Sequence, residues 1–376
     1  MLKIRLFNYI APIMTKNRVY GLDIMRCFAI LFVLLLHSYH IFDIPNEAQF
    51  PRLFVIDGVN LFFILSGFLI GSILIKELEN KKPTLKRLLN FWGNRWWRTL
   101  PAYYFVLIIL CVYYLFHDGS IGWKYFVFLQ NMVTGAFGTF TESWSLAIEE
   151  WFYLTLAPLS FFLTYRLSAR KAIPIIVVLF IVGCNLLRIF KITHYHIAGF
   201  DAYIYDVMLT VPTRLDALMY GVLGAYLKYY NFSIWNKRNN LFFALGIAGL
   251  VLNNVYVYLA GFDFYYYYLS LNVIALCALF LLPKFSSINT GSGLVHKIVT
   301  FISLTSYSVY LLHSTVFWLL IDPLLPVNNL LRLSAYLIWS FGGGYLMYTT
   351  VEKWGMNQRN KRNKKKEARI LAEVSR

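Results

Sequence analysis

Two basic side chains interrupt the first long apolar run, GLDIMRCFAILFVLLLHSYH. Arg26 and His37 are eleven positions apart. At ~100° per residue on a helix that is about 1100°, roughly 20° beyond three full turns. Both therefore project from one face, separated by about 16 Å along the axis. A guanidinium near a membrane surface suits a phosphate, because it presents planar forked donors and stays charged. A histidine in a dry site can take a proton from a hydroxyl near neutral pH. The competing readings are snorkelling of Arg26 to the interface and a structural interhelical hydrogen bond for His37.

Further ionisable residues inside apolar runs are costly, so each marks a candidate site. In ESWSLAIEEWFYL, Glu149 and Glu150 are adjacent and face about 100° apart, so they cannot line one cavity equally. Glu149 either orients His37, as the acid of a triad does, or pairs with Arg214 as structural glue; the sequence leaves both open. In TRLDALMYG, Arg214 and Asp216 face different ways, so each needs a partner on another helix or a wet cavity. Ser306, Tyr310 and His313 of SYSVYLLHS share a face, which fits helix packing as well as catalysis. Arg95 and Arg98 of RWWR lie one turn apart. With Arg26 they would form a cationic cluster for the phosphates of a nucleotide-like cofactor; the alternative is plain topology anchoring. Glu150, Arg214, Asp216 and His313 are the candidate substrate-binding residues. No metal-ligand spacing or phosphate-cradling glycine motif appears, so no metal and no tightly bound cofactor is expected.

The elements that must position these residues follow from composition. Of 376 residues 59% are hydrophobic and 14% charged, against roughly 25% charged in a soluble domain. Apolar stretches of about 20 residues recur, the length a helix needs to cross the hydrocarbon. Lipid forbids unpaired backbone groups, so the expected class is all-α: a polytopic bundle of about ten transmembrane helices. They fall near 21–42, 54–75, 100–117, 144–165, 172–190, 205–227, 240–260, 264–283, 298–320 and 329–351. The net charge of +17 invites a nucleic-acid reading, but its placement excludes it. With the N-terminus inside, Lys3, Arg5, Lys16, Arg18, the 76–99 connection and the tail from Lys353 to Arg376 all fall on the inner side. The outer connections carry few cations: Arg52, Lys124, Arg188, Lys191 and Arg332. That bias places both termini in the cytoplasm.

Residues 1–20 then form a cytoplasmic segment, 21–355 the membrane domain and 356–376 a basic tail, read as a solvated anchor attracting anionic lipid. The basic connection LKRLLNFWGNRWWR reads as a helix lying at the interface. The connection 118–143, with Gly119, Gly122, Gly135 and Gly138, reads as a loop with partial re-entry. Gly58, Ser66, Gly67 and Gly71 let helices approach closely, and Gly58, Ser66 and Gly67 are also candidates to line a tunnel. Cys27, Cys111, Cys184 and Cys277 lie singly in separate spans, as small hydrophobes.

The ordered set LDIMRCFAI with His37, GVNLFFILSGFLI, RWWR, WSLAIEEWFYL, TRLDALMYG, SYSVYLLH and VEK resembles the acyltransferase-3 family of multi-pass membrane acyltransferases, from about Gly21 to Glu352. Cys27 stands where a glycine commonly follows the arginine, and Trp354 where proline is common. The resemblance implies an O-acyltransferase of a bacterial inner membrane. A small acyl group, acetyl, would pass from acyl-CoA as co-substrate to a hydroxyl of O-antigen or another surface polysaccharide, or of its lipid-linked precursor. It also implies that Arg26 and His37 match the family's arginine–histidine pair, with His37 the base. Arg95 and Arg98 match its cytoplasmic arginines, binding CoA, and Glu149 its span-four carboxylate. Many members carry an appended esterase-like domain; none is expected here, which implies a separate partner protein or direct use of an abundant acceptor. The rival classes are a transporter or flippase with a buried Arg/Glu/His relay, and a non-catalytic scaffold. Neither inverted repeats nor paired broken helices support a transporter.

Overall fold

Every long element among the described residues is a helix, as a lipid-facing chain requires. The computed structural model describes residues 18–42, 56–80, 82–135, 138–326 and 328–374. Lys3, Arg5, Lys16, Arg52 and Arg376, which enter the charge argument, lie outside them. The longer helices are α1 Tyr20–His37, α2 Gly58–Asn80, α3 Leu85–Phe116, α4 Ser143–Thr164, α5 Ala169–His194, α6 Leu215–Tyr230, α7 Asn239–Ala260, α8 Ser270–Ser287, α9 Gly293–Leu312, α10 Asn329–Ile338 and α11 Lys353–Val374. Eight are long and apolar enough to cross a membrane: α1 with its extension to Phe42, α2 to α5, and α7 to α9.

The remaining two expected spans differ in form. Residues 205–227 are not one helix: a widened turn at Ile204–Met208 and a tight turn at Val211–Thr213 precede α6, which has only 16 residues. Pro212, lacking an N–H, sits in that tight turn, where a continuous helix would lose a hydrogen bond. The 329–351 span is helical but carries π-type turns at Trp339–Gly343 and Tyr348–Glu352, and it runs directly into α11. Leu85–Arg98, expected as a separate interfacial helix, is instead the first part of the 32-residue α3. The 118–143 connection contains one short tight-turn helix at Trp123–Val127.

Close approach through small residues holds. A Cβ on Gly67 would run into the Leu218 carbonyl of α6, and one on Gly221 into the Ile64 carbonyl of α2. Gly58 lies against the Ala29 carbonyl of α1 in the same way. Gly58 and Gly67 therefore pack helices together and do not line a tunnel. Behind this seam a second polar layer fixes α5, α6 and α8. Arg188, expected in an outer connection, is buried within α5 and forms an ion pair with Asp216. Arg214 donates to Asn60 Oδ1 of α2 at 2.9 Å. Both residues of TRLDALMYG thus find partners on other helices, as their spacing demands.

The tail is not merely solvated. α11 docks on the basic half of α3: Arg362 donates to Asn90 Oδ1 at 3.2 Å, Lys366 reaches the same oxygen, and Trp354 meets Trp97 edge-on. The Arg362 guanidinium occupies the space where a Gly93 side chain would lie. Arg362→Ala should cost about 0.5–1.5 kcal/mol, the usual worth of one such hydrogen bond. A fall in the thermal midpoint of the detergent-solubilised protein checks this; an unchanged midpoint would make α11 an undocked anchor.

Candidate active site

α1, α2, α3, α4, α9 and the 348–352 turn line a cavity of about 150 Å³. Arg26 comes from α1, Arg95 and Arg98 from α3, Glu149 from α4 and Glu352 from the turn. The three arginines expected to cluster are thus brought to one chamber. Phe62, Phe63, Leu65, Leu69 and Ile70 of α2 form an apolar wall.

Three guanidinia face two carboxylates in this lining. Arg95 Nη2 donates to Glu149 Oε2 at 2.7 Å and its guanidinium lies 4.4 Å from the Tyr153 ring centre. Tyr153 also donates to Glu149 Oε2, at 2.9 Å, and shares a 2.6 Å hydrogen bond with Ser66. Arg26 reaches Asp23 Oδ1 at 3.4 Å and Ser303 Oγ at 3.3 Å, yet Asp23 is also ion-paired with Arg18. One carboxylate thus serves two guanidinia. Arg98 is exposed to the chamber and has no hydrogen bond or ion pair with a described residue. Glu352 accepts from Ser308 at 2.9 Å. The surplus is positive, which is the character of an anion-binding chamber.

Glu149 orients neither His37 nor Arg214, the two roles left open by the sequence; its partners are Arg95 and Tyr153. The cross-helix arginine wins because it is a charge partner within hydrogen-bond reach. Glu150, as adjacency requires, points elsewhere: it is buried, accepting from Trp96 at 3.1 Å and Thr99 at 3.4 Å. Arg214 and Asp216 belong to the packing layer described above, not to this cavity.

His37 lies outside the cavity lining, beside His313, with ring centres 4.9 Å apart and planes at 78°. His37 Nδ1 is 2.8 Å from the Val33 carbonyl, and His313 Nδ1 is 2.7 Å from the Tyr310 carbonyl. A carbonyl oxygen can only accept, so in the neutral imidazoles both Nδ1 atoms carry the proton and both Nε2 atoms present lone pairs. Backbone carbonyls of the same chain segment therefore set the tautomer that a triad acid would set. Tyr310 partitions the two regions. Its side chain borders the cavity and bonds Ser145 at 2.7 Å, while its carbonyl holds His313.

Two carboxylates escaped the sequence reading. Glu352 of VEK, to which the sequence assigns no role, faces the cavity. Glu142 is buried at the start of α4 and accepts from Thr315 Oγ1 at 2.5 Å, tying the 118–143 connection to the chain just beyond His313. The signal available for both was a carboxylate bordering an apolar run. Among the described residues no cluster of three or more His, Cys, Asp or Glu could hold a metal ion, and all four cysteines are free.

Residues 19–349 match a family model described as an acyltransferase domain. The chain is 30% identical over 228 residues to O-acetyltransferase OatA of Staphylococcus aureus, covering 55% of this chain and 34% of that protein. It is 25% identical over 342 residues to peptidoglycan O-acetyltransferase OatA of Listeria monocytogenes, covering 84% and 52% respectively. The chain thus spans between about a third and a half of the length of these relatives. No solved structure matches it.

Proposed function

The chain belongs to the acyltransferase-3 family of multi-pass membrane proteins, and we propose that it transfers acetyl from acyl-CoA to a hydroxyl of a cell-surface glycan at the bacterial inner membrane. The observation that carries the reading is the convergence of Arg26, Arg95 and Arg98 on one chamber, at one end of the helix that presents His37 further along. In this reading the basic end, with α11, faces the cytoplasm. Arg98 and Arg26, whose charges are least neutralised, bind phosphate oxygens of CoA. The apolar wall of α2 receives the arm that carries the thioester. His37 Nε2 takes the proton of the acceptor hydroxyl, and that oxygen attacks the thioester carbonyl. The C–S bond breaks, and the leaving thiolate recovers the proton from His37. Water must be kept from the thioester, and the apolar wall of α2 serves that end.

The test is transfer of labelled acetyl in oriented vesicles. Acetyl-CoA should serve only from the face carrying α11, and an impermeant glycan acceptor should be modified only from the opposite face. Modification of that acceptor on the α11 face alone would sink the through-membrane route, and transfer without acetyl-CoA dependence would sink the donor assignment.

A further inference from the structure

Two bare imidazole nitrogens side by side are an unusual demand on a ligand. His313 is fully buried, and its Nε2 has no hydrogen-bond partner among the described residues. An orphaned buried acceptor costs about 1–3 kcal/mol, so its retention next to His37 calls for a donor that the described residues do not supply. Nor can His313 turn its ring to hide that nitrogen. The Tyr310 carbonyl holds Nδ1, the Tyr310 ring lies 5.4 Å away, and Thr315, two residues on, is tied to Glu142 by its hydroxyl and by its backbone N–H at 3.3 Å. His37 is held in the same tautomer by Val33 and is partly exposed. One hydroxyl carries one proton and satisfies one of these nitrogens. The second nitrogen requires a second donor within a few ångströms of the first.

We propose that His37 and His313 form a two-acceptor subsite that takes two neighbouring hydroxyls of the acceptor, a vicinal diol of a sugar. The reacting hydroxyl gives its proton to His37, and the neighbouring hydroxyl donates to His313 and fixes which oxygen is acylated. His313 is thus a positioning and specificity-determining residue. This rests on the assignment of His37 as the acyltransfer base.

The experiment uses the full chain in proteoliposomes, with acetyl-CoA as donor and surface glycan from cells lacking the protein as acceptor. Cis-1,2-cyclohexanediol and cyclohexanol are compared as competitors. In the wild type the diol should inhibit transfer about tenfold more strongly than the mono-ol, the worth of one added hydrogen bond. In His313→Ala the KM for glycan should rise about tenfold, and the discrimination between diol and mono-ol should vanish. His313→Gln, whose amide oxygen can stand in for Nε2, should recover part of both effects, whereas His313→Phe should not. Acetyl-CoA binding by each variant reports that the fold survives. Equal inhibition by diol and mono-ol in the wild type overturns the proposal, as does a His313→Ala variant that binds acetyl-CoA and keeps the wild-type KM. Absence of any acetyl-CoA-dependent transfer by the wild type would instead reject the function proposed above.

Discussion

Replacing His37 by alanine should lower acyl transfer by about 10²–10⁴-fold, the usual contribution of a positioned base, while acetyl-CoA still binds. The structure makes this a clean experiment. The hydrogen bond of His37 runs to the Val33 carbonyl of its own helix, so removing the ring orphans no charge on another helix. The ring is partly exposed and contacts the His313 ring at its edge, so the cavity left is small in energetic terms compared with a buried core truncation. Arg26 sits about three turns away along α1, and Arg95 and Arg98 come from α3, so none of the chamber's arginines depends on the ring. Initial rates with saturating acetyl-CoA decide the matter. A rate within a few-fold of wild type would remove His37 from the chemistry, whatever its effect on yield.

Arg98→Ala should weaken acetyl-CoA binding by about ten- to hundredfold, because a hydrogen bond to a charged group is worth roughly 1.5–3 kcal/mol. Arg98 is the informative choice among the three arginines. Removing Arg95 strands Glu149 without its charge partner, and because that pair is only part-buried the cost in stability is real but below that of breaking a fully buried pair. Loss of CoA affinity there would be confounded with loss of fold. Removing Arg26 disturbs the Asp23 and Ser303 contacts in a milder version of the same problem. Arg98 has no such partner among the described residues, so its loss leaves the helices as they are. Calorimetry in detergent measures the change. Affinity within twofold of wild type would reduce the arginine cluster to topology anchoring.

What could be read from the sequence divides along a physical line. The facing of Arg26 and His37 depends on one helix, and helical geometry is rigid enough to carry it over eleven residues. Arg95 and Arg98 were legible for the same reason, and their meeting with Arg26 followed from charge being confined to one membrane face. Partnerships between helices were not legible. Glu149 could reach His37, Arg214 or Arg95 depending on how α4 is rotated about its axis, and the sequence does not specify that rotation. The stripe Ser306, Tyr310, His313 was visible as a stripe, but α9 ends at Leu312. Ser306 and Tyr310 therefore border the chamber while His313, at the cap, turns to His37. Breaks inside apolar runs were hidden too. Hydropathy measures composition over a window and is blind to Pro212 ending a helix or to a widened turn.

Those widened turns have a bearing on how length and identity trade off in this chain. Each inserts about one extra residue into a turn, so everything beyond it is rotated by about 100° relative to an unbroken helix. Glu352 closes the second of them and faces the chamber, and Arg362 lies ten residues on, filling the space over Gly93. The two turns at 339–343 and 348–352 act as a phase setting for both contacts. A single deletion would leave every other side chain intact and aim Glu352 and Arg362 away from their targets together. Between Trp339 and Glu352 the chain encodes spacing before it encodes chemistry.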